Sequence, residues 1–513
     1  MGGDRRRRGA RGASVVLAAA IFLAITPVST ARAAPATSSD VPGLPSIPTV
    51  DPASPSLSPG GRAFLQQAAL TDAPRYALSA TIDPETGRVD GRMRAQVSRP
   101  DTGSVPFRVL AGLPALHTGL SVKSLTVDGK TASAERVQTL LTVPVPRDGE
   151  KKVVVGMRFS YRVPRAGTTH GRPLTQATIA LLSRGTDVSQ YGHWFPVWLP
   201  PGADTDPALS GFGDIGNFAA GAITARVRVP TGYDVVSGGV TTDHRQSNGK
   251  TTVTESAVGV RDMSLAVGRD LHRGETRAGD VTVRVTGPAA IDVDGTARDA
   301  AADLQVLADR YGPYPWSEID VVAVSLGPDA GGMEWPGAVW IDGLQEGAGG
   351  AALTLDHELA HQWWHALVGN DSIRAPVVDE PLAQYSMCLV SAANRQGGGA
   401  ECSSLGDPGP SGGSVSPAPQ CADRPTTAFA SANEYGALIY DQAPGFYFAL
   451  SGVTGPDATI AALRGVVARH AFGIITPAEL RDEIVAAFPD QADAVRALWD
   501  RYIGPLGCGV TAR

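Results

Sequence analysis

Two side chains that bind metals or form cross-links are scarce in this sequence, since its 513 residues include nine histidines and four cysteines. The cysteines form no Cys-x-x-Cys pair, which argues against a zinc site built from thiolates. After residue 33, no stretch approaches the run of about 20 apolar residues that a transmembrane helix needs. An excess of basic residues is also missing, because the formal net charge is −7. We therefore expect no nucleic-acid partner.

The N-terminus has the layout of a secretory signal peptide. Arg5–Arg8 and Arg11 precede the apolar run Ala13–Val28, and residues 31–33 read Ala-Arg-Ala, a small-x-small cleavage signature. The apolar run is short for a membrane span. We predict that residues 1–33 are a cleaved signal peptide and that the protein is secreted, with no stable membrane span after cleavage. An uncleaved N-terminal membrane anchor is the alternative.

The four cysteines are an even number, which in an oxidising compartment predicts two disulfides. Four cysteines allow three pairings. Cys402 and Cys421 bracket a stretch rich in Gly, Ser and Pro. The preferred prediction is therefore Cys402–Cys421 together with Cys388–Cys508.

Composition divides the rest of the chain into three parts. Residues 34–70 are rich in Pro, Ser and Thr and predict a flexible linker. Residues 71–275 contain short alternating runs, such as KKVVVGMRFSYRV and GAITARVRVP, that are typical of antiparallel strands. Residues 276–513 mostly show the apolar spacing of helices. These patterns predict an α+β multidomain fold, in which an N-terminal antiparallel β domain precedes a mainly helical domain. No feature of the sequence specifies an oligomeric state.

The sequence HELAHQWWH, at positions 357–365, is the strongest chemical signal. It lies in a segment, residues 351–369, whose spacing predicts one helix closed by the glycine at its end. Residues four apart lie about 40° apart around a helix, so His357 and His361 can bind one ion. Glu358 would then reach a water on that ion. Two imidazoles and a carboxylate in this pattern are the zinc ligands and general base of an HExxH peptidase.

A catalytic zinc site needs a third protein ligand and an open position for water. His365 continues the interval of four, but on a helix it lies roughly 12 Å from His357. We therefore expect His365 beside the site and not on the metal. Eighteen residues separate His361 from Glu380, enough to end the first helix and begin a second near Asp379. The sequence thus predicts one zinc ion per chain, held by His357, His361 and Glu380.

Three stretches, HELAHQWWHALVGND, DEPLAQYS and GGMEWPGAVW, resemble the aminopeptidase-N family of zinc peptidases. That family belongs to the gluzincins and includes leukotriene hydrolase. Its marks are HExxH, eighteen residues, then Glu, with a GxMEN motif upstream. The resemblance covers roughly residues 75–505. It implies a saddle-like N-terminal β domain, a thermolysin-like catalytic domain, zinc at the three predicted ligands, and Glu358 as the general base.

The resemblance also implies roles for residues that do not bind the metal. Gly332, Met333 and Glu334 fall on the first part of GxMEN, which implies a substrate-binding segment. Within it, the Glu334 carboxylate would pair with the free α-amine of the substrate. Tyr435 and Tyr440 have the spacing of the tyrosines that the family carries on a later helix. This implies that Tyr440 stabilises the oxyanion formed at the scissile carbonyl.

The sequence departs from the family pattern at several of these motifs. Trp335 stands where the family usually has Asn, and the usual Lys-Gly pair after Tyr440 is missing. Asp379 and Pro381 flank the third ligand where the family has Asn and Gly. These changes alter the local backbone around the third ligand and the residues that follow Tyr440.

Together the motifs predict a secreted zinc-dependent aminopeptidase that hydrolyses N-terminal residues from peptides. A zinc endopeptidase or an epoxide-hydrolysing relative is the nearest alternative, because it would use the same metal chemistry. A catalytically weak binding protein that retains the zinc site is a further alternative. The intact base, Glu358, favours an enzyme over that binding protein.

Overall fold

A computed structural model describes residues 42–68, 70–165, 181–327, 330–344, 349–394, 402 and 420–509. The predicted signal peptide and most of the Gly/Ser/Pro-rich segment between Cys402 and Cys421 lie outside these residues. The predicted domain limits, 71–275 and 276–513, stay predictions.

The largest sheet of the β region has eight strands, in the order β14-β15-β12-β1-β2-β8-β4-β5. Their bounds are Arg75–Asp83 (β1), Arg88–Ser98 (β2), Ser121–Val127 (β4), Lys130–Thr131 (β5), Lys152–Arg162 (β8), Gly221–Pro230 (β12), Val240–Ser247 (β14) and Lys250–Val260 (β15). Alternate side chains of β2 are buried, which is the pattern of a strand with one face on the core. All pairs are antiparallel except β1 with β12, so the predicted antiparallel sheet contains one parallel pair.

Two four-stranded sheets complete the β region, in the orders β13-β16-β10-β9 and β11-β3-β7-β6. The first uses Leu182–Arg184 (β9), Val188–Tyr191 (β10), Tyr233–Ser237 (β13) and Leu265–Arg269 (β16). The second uses Ser104–Arg108 (β3), Glu135–Val137 (β6), Leu140–Pro144 (β7) and Val197–Trp198 (β11). The loop between β11 and β12, residues 199–220, reaches the site described below.

A five-stranded mixed sheet, in the order β17-β18-β19-β21-β20, opens the C-terminal region. Its strands are His272–Ala278 (β17), Val281–Gly287 (β18), Glu318–Val324 (β19), Gly332–Met333 (β20) and Ala338–Asp342 (β21). β18, β19 and β21 run parallel, whereas β17 and β20 pair antiparallel at the two edges. The edge strand β20 carries the GGME motif.

The remaining elements are mainly helical, as predicted. The helices are Pro59–Ala68 (α1), Val293–Tyr311 (α2), Gly349–Ala360 (α3), Glu380–Asn394 (α4), Ala432–Gly436 (α5), Gly445–Thr454 (α6), Pro456–His470 (α7), Pro477–Ala487 (α8) and Ala492–Tyr502 (α9). A π-helical segment, Ala437–Gln442, joins α5 to α6. None of the helices in the described ranges is both long and apolar enough to span a membrane.

The predicted single helix over residues 351–369 was wrong in its second half. The α-helix ends at Ala360, and the following turns use other hydrogen bonds. The carbonyls of His361, Gln362 and Trp363 each accept from the amide five residues later, not four. Trp363 and Trp364 are fully buried. In an α-helix, neighbouring side chains point to different sides. Burying the two adjacent indoles therefore explains why the backbone leaves the α-helical path.

Part of the predicted linker, residues 34–70, is also ordered, contrary to the prediction. Leu57 forms a β-bridge with Trp316, and helix α1 follows. Leu57 and Leu65 are buried at 1% and 3% exposure. This Pro/Ser-rich segment has few apolar side chains, but those of Leu57 and Leu65 are buried in the core.

The predicted disulfide pairing was wrong. The bonds are Cys388–Cys402 and Cys421–Cys508, with Cα separations of 5.6 and 5.9 Å. Cys388 lies on α4, whereas Cys421 lies beside the C-terminal segment, where the Ala422 amide donates to the Ile503 carbonyl at 2.8 Å. The observed bonds join cysteines that are 14 and 87 residues apart, so the Gly/Ser/Pro-rich stretch between Cys402 and Cys421 is not closed by a bond between them.

Candidate active site

Helices α3 and α4 bring together the three predicted metal ligands. His357 lies in the last turn of α3, His361 follows the helix end, and Glu380 is the first residue of α4. The Nε2 atoms of His357 and His361 are 3.0 Å apart. Glu380 Oε2 lies 3.2 Å from His357 Nε2 and 3.3 Å from His361 Nε2. The three donor atoms thus form a nearly regular triangle.

This triangle fits a zinc ion. Tetrahedral zinc with bonds of about 2.0–2.2 Å separates its ligand atoms by about 3.3–3.6 Å. A hydrogen bond also orients one of the ligands. His361 Nδ1 lies 2.9 Å from the carbonyl oxygen of Trp364. Since a carbonyl only accepts, His361 Nδ1 carries a proton, and Nε2 is the ring atom that would bind a metal ion after losing its own proton.

Charge also favours a cation at these ligands. Burial acts to raise the pKa of Glu380, but hydrogen bonds from His357 and His361 outweigh it and hold this pKa well below its usual range. Glu380 is therefore a carboxylate, and it is 4% exposed. A buried carboxylate with two imidazoles is a donor set that zinc prefers.

The predicted general base, Glu358, lies beside these ligands with one free oxygen. The side chain is 5% exposed, and its Oε2 atom has no hydrogen-bond partner among the described residues. Burial raises the pKa of Glu358 to about 8, with His361 acting in the opposite direction. A cation at the ligands would lower this pKa.

Gly332 of β20 allows the close approach of Glu358. A Cβ atom at position 332 would lie 2.4 Å from Glu358 Oε1 and 2.5 Å from its Cγ. Such distances are far below ordinary contact, so only glycine fits without displacing the base. This gives Gly332, the second glycine of the GGME segment, a physical role in placing the base.

Glu334, which follows β20, projects into the same site. It is 4% exposed, and its Oε1 atom has no hydrogen-bond partner among the residues described. Gln362 fixes the chain just after this residue: its Nε2 donates to the Trp335 carbonyl at 3.1 Å, and its Oε1 accepts from the Gly337 amide at 3.0 Å. The residue that follows His361 therefore holds Glu334 in register with the metal ligands.

Tyr440 reaches the ligands from the π-helical segment. Its hydroxyl donates to Glu380 Oε1 at 2.8 Å. Burial, followed by the nearby Glu380 charge, raises the pKa of Tyr440 well above 10, so its hydroxyl stays protonated. Residues five apart lie about 140° apart on an α-helix. The wider π-turn instead lets Tyr435 and Tyr440 pack with ring centroids 5.8 Å apart. Such segments occur often at functional sites.

Two of the departures from the family pattern, Trp335 and Asp379, have structural explanations. Trp335 is 2% exposed and packs edge-on against Trp340 and His193, with ring centroids 5.1 and 4.8 Å apart. Asp379 accepts hydrogen bonds from Asn370 and His365 at 2.8 and 3.0 Å. Asp379 therefore anchors the start of α4, and His365 lies outside the group formed by His357, His361 and Glu380.

A cavity of about 540 Å³ lies in front of the ligands. The predicted site residues all line it: Gly332, Met333, Glu334, His357, Glu358, His361, Glu380 and Tyr440. Leu181, Leu353 and Met387 add apolar walls. The cavity therefore combines an acidic, metal-binding floor with an apolar surface.

The cavity also contains a carboxylate that the sequence analysis missed, Asp214. It lies in the loop of residues 199–220, and its Oδ2 atom is 3.7 Å from His365 Nδ1. In the sequence Asp214 lies in the segment GFGDIGN, which contains no recognisable motif. Only the tertiary fold brings this residue to the site.

The comparisons with known proteins concern the fold. No family model matches the sequence, and no curated protein matches it. Solved structures do match: the M1 zinc metallopeptidase from Deinococcus radiodurans has a TM-score of 0.61 at 19% identity, over 85% of this chain and 95% of that chain. A mutant of that peptidase bound to a Tyr-Ser-Ala substrate matches with the same values. A two-domain M1 zinc metallopeptidase mutant bound to L-arginine has a TM-score of 0.59 at 18% identity, over 85% and 95%.

This chain therefore has the fold of the M1 zinc metallopeptidases, the aminopeptidase-N family. The predicted α+β fold class is confirmed, with antiparallel sheets preceding a largely helical region.

Proposed function

We propose that this protein is a secreted zinc-dependent aminopeptidase that removes N-terminal residues from peptides. The observation that carries the proposal is Glu334. It is a buried carboxylate with a free oxygen in the cavity that also contains the base and the three metal ligands. A carboxylate so close to the base can bind the ammonium group of the residue whose peptide bond is cut.

The metal ligands and the base support the hydrolytic step. A zinc ion at His357, His361 and Glu380 would supply a water of lowered pKa and a Lewis acid for the scissile carbonyl. Glu358 accepts the proton of the attacking water at its free oxygen and then delivers it to the leaving amine. Because Gly332 has no Cβ, the Glu358 carboxylate can lie close to β20.

Tyr440 supports stabilisation of the developing charge. Its protonated hydroxyl donates to Glu380 Oε1. When the substrate carbonyl oxygen becomes negative, that hydroxyl can donate to it instead. Donors aimed at charge that develops only in the transition state accelerate the reaction.

Glu334 supports the choice of an aminopeptidase over an endopeptidase. An endopeptidase must accept uncharged backbone on both sides of the scissile bond, and a buried free carboxylate disfavours such a substrate. A free α-ammonium group satisfies the same carboxylate. The solved relative with a bound Tyr-Ser-Ala substrate supports a peptide as the ligand here as well.

Two features support secretion. Residues 1–33 have the pattern of a signal peptide. The two disulfides are typical of proteins in oxidising compartments.

The test is hydrolysis of aminoacyl-anilides, each measured beside its N-acetylated twin. We expect cleavage of the free-amine substrates alone, with about one zinc per chain. Chelation should abolish the activity, and added zinc should restore it. Glu358→Gln should also abolish it while zinc stays bound. Glu135→Gln, on an exposed strand residue that does not line the cavity, is the matched control.

Each other outcome points to a different function. Equal cleavage of the acetylated twins would make the protein an endopeptidase. Bound zinc without cleavage of any substrate would favour a binding protein.

A further inference from the structure

Arg261, which lies between strands β15 and β16, is a buried cation with no role in the chemistry described so far. Its side chain is 2% exposed. Burial lowers the pKa of Arg261 to about 9, and no carboxylate among the described residues forms an ion pair with it. Arg261 is still a cation at neutral pH, so its buried charge depends on hydrogen bonds to other acceptors.

The acceptors are backbone carbonyls from three separate segments. Nε of Arg261 donates to Ala366 at 3.0 Å, and Nη2 donates to Leu367 at 3.1 Å. Nη1 donates to Phe218 at 2.8 Å, and Nη2 also donates to Gly473. Ala366 and Leu367 belong to the turns that follow helix α3. The last carbonyls of a helical segment lack amide partners within it, and a cationic side chain is well suited to satisfy them.

The same two residues hold the metal-ligand segment through their amides. The Ala366 amide donates to the His361 carbonyl at 2.9 Å, and the Leu367 amide donates to the Gln362 carbonyl at 3.2 Å. Each residue whose carbonyl accepts from Arg261 therefore also fixes His361 or the residue next to it. A guanidinium group from the β region is thus one peptide unit away from the backbone of a metal ligand.

Gly369 makes the space that this guanidinium group needs. A Cβ atom at position 369 would lie 2.4 Å from Arg261 Cζ and 2.7 Å from its Nη1. These distances are far below ordinary contact, which begins near 3.5 Å. The glycine therefore does more than end the turns after helix α3, because any larger residue would push the cation away from its carbonyls.

We propose that Arg261 is a positioning residue for the metal site, and that it sets the turns after helix α3 so that His361 Nε2 meets His357 and Glu380. Arg261 does not line the zinc cavity, so it would act only through the backbone. The inference rests on the zinc site of the proposed function but not on the choice of an aminopeptidase. Groups that orient a metal ligand typically contribute 10–100-fold to metal affinity.

The first test is the zinc Kd, measured by competition with a chelator. Arg261→Met, which keeps the length of the side chain but removes its donors and charge, should raise the Kd about tenfold or more. Arg261→Lys keeps the charge and should restore part of the affinity. The matched control is Arg108→Met, because Arg108 is also buried and donates to two backbone carbonyls, those of Asp204 and Asp206. It should lower the melting temperature and leave the zinc Kd unchanged.

The second test perturbs the same contacts from the other side. Gly369→Ala retains Arg261 but displaces its guanidinium group, so it should also raise the zinc Kd. Combining Gly369→Ala with Arg261→Met should add little to either change, because both remove the same hydrogen bonds. In metal-free protein, hydrogen exchange at the amides of Ala366 and Leu367 should be faster in both single variants and unchanged in Arg108→Met. Should Arg261→Met not fold, Arg261→Lys and Gly369→Ala take its place.

The outcomes distinguish this inference from the proposed function. An unchanged zinc Kd in Arg261→Met and Gly369→Ala would overturn the inference, and so would an equal rise in Arg108→Met, because general loss of stability would then explain it. Additive effects of the two substitutions would also overturn it. If these changes in zinc Kd occur but no substrate is cleaved by the unsubstituted protein, the proposed function fails and the role of Arg261 stands. If the unsubstituted protein binds no zinc, both fail.

Discussion

Gly332→Ala tests whether the GGME segment positions the base. The added Cβ would lie 2.4 Å from Glu358 Oε1, 2.5 Å from its Cγ and 2.6 Å from its Cδ. Non-bonded heavy atoms reach their optimum at about 3.5–4.0 Å. Glu358 or the β20 backbone must therefore move by about 1 Å. The buried side chain has little room to rotate away without moving its carboxylate.

The expected effect on catalysis follows from that displacement. A misplacement of about 1 Å between reacting groups costs roughly 100-fold in rate. We therefore expect kcat/KM for a free-amine anilide to fall about 100-fold, which corresponds to about 2.7 kcal/mol of transition-state stabilisation. Zinc content should not change, because the clash involves Glu358 and none of the three ligands.

The assay compares kcat/KM, zinc content and melting temperature for Gly332→Ala and Gly331→Ala. A Cβ at position 331 would meet Thr354 Oγ1 at 3.1 Å, which a small side-chain shift relieves. The neighbouring variant should retain activity within about threefold. Activity of Gly332→Ala within threefold of the unsubstituted protein would refute the reasoning, as would loss of zinc in that variant.

Three further predictions concern the oxyanion, the disulfides and pH. Tyr440→Phe should lower kcat by about 10²–10³ with zinc retained, and an unchanged kcat would remove Tyr440 from the mechanism. Replacing both Cys421 and Cys508 by Ser opens a connection across a sequence separation of 87. This should lower the free energy of unfolding by about 4.6 kcal/mol on loop entropy, measured by denaturant titration, and a loss below about 1 kcal/mol would contradict it. Burial raises the pKa of Glu255 to about 7. Its protonated form therefore stabilises the fold below about pH 4.5, and this stability is lost as the pH rises towards 7. Between pH 5.5 and 7.5 the loss should be about 2 kcal/mol, and Glu255→Gln should abolish that share of it; equal slopes in both proteins would refute the assignment.

The grouping of His357, His361 and Glu380 was predictable because their positions depend on local geometry. His357 and His361 lie one helical turn apart: the helix ends at Ala360, but the His361 amide still donates to the His357 carbonyl at 3.2 Å. Glu380 begins the next helix, close to where the chain length required it. The strands of the β region were predictable for a similar reason, since alternation of apolar residues reports which face of each strand is buried.

Other features depend on contacts between distant parts of the chain, and no local pattern encodes them. The partner of Cys402 is Cys388 on α4, 14 residues before it, and the Gly/Ser/Pro-rich stretch that follows Cys402 suggested the wrong bond. The turns after Ala360 follow from burial of two adjacent tryptophans. Asp214 enters the cavity only because contacts with Tyr435 and His365 hold its loop there. Helix periodicity and ligand spacing depend on residues that are close in the sequence. Disulfide partners, interrupted helices and the approach of Asp214 to the cavity depend on packing, which forms only when the whole chain has folded.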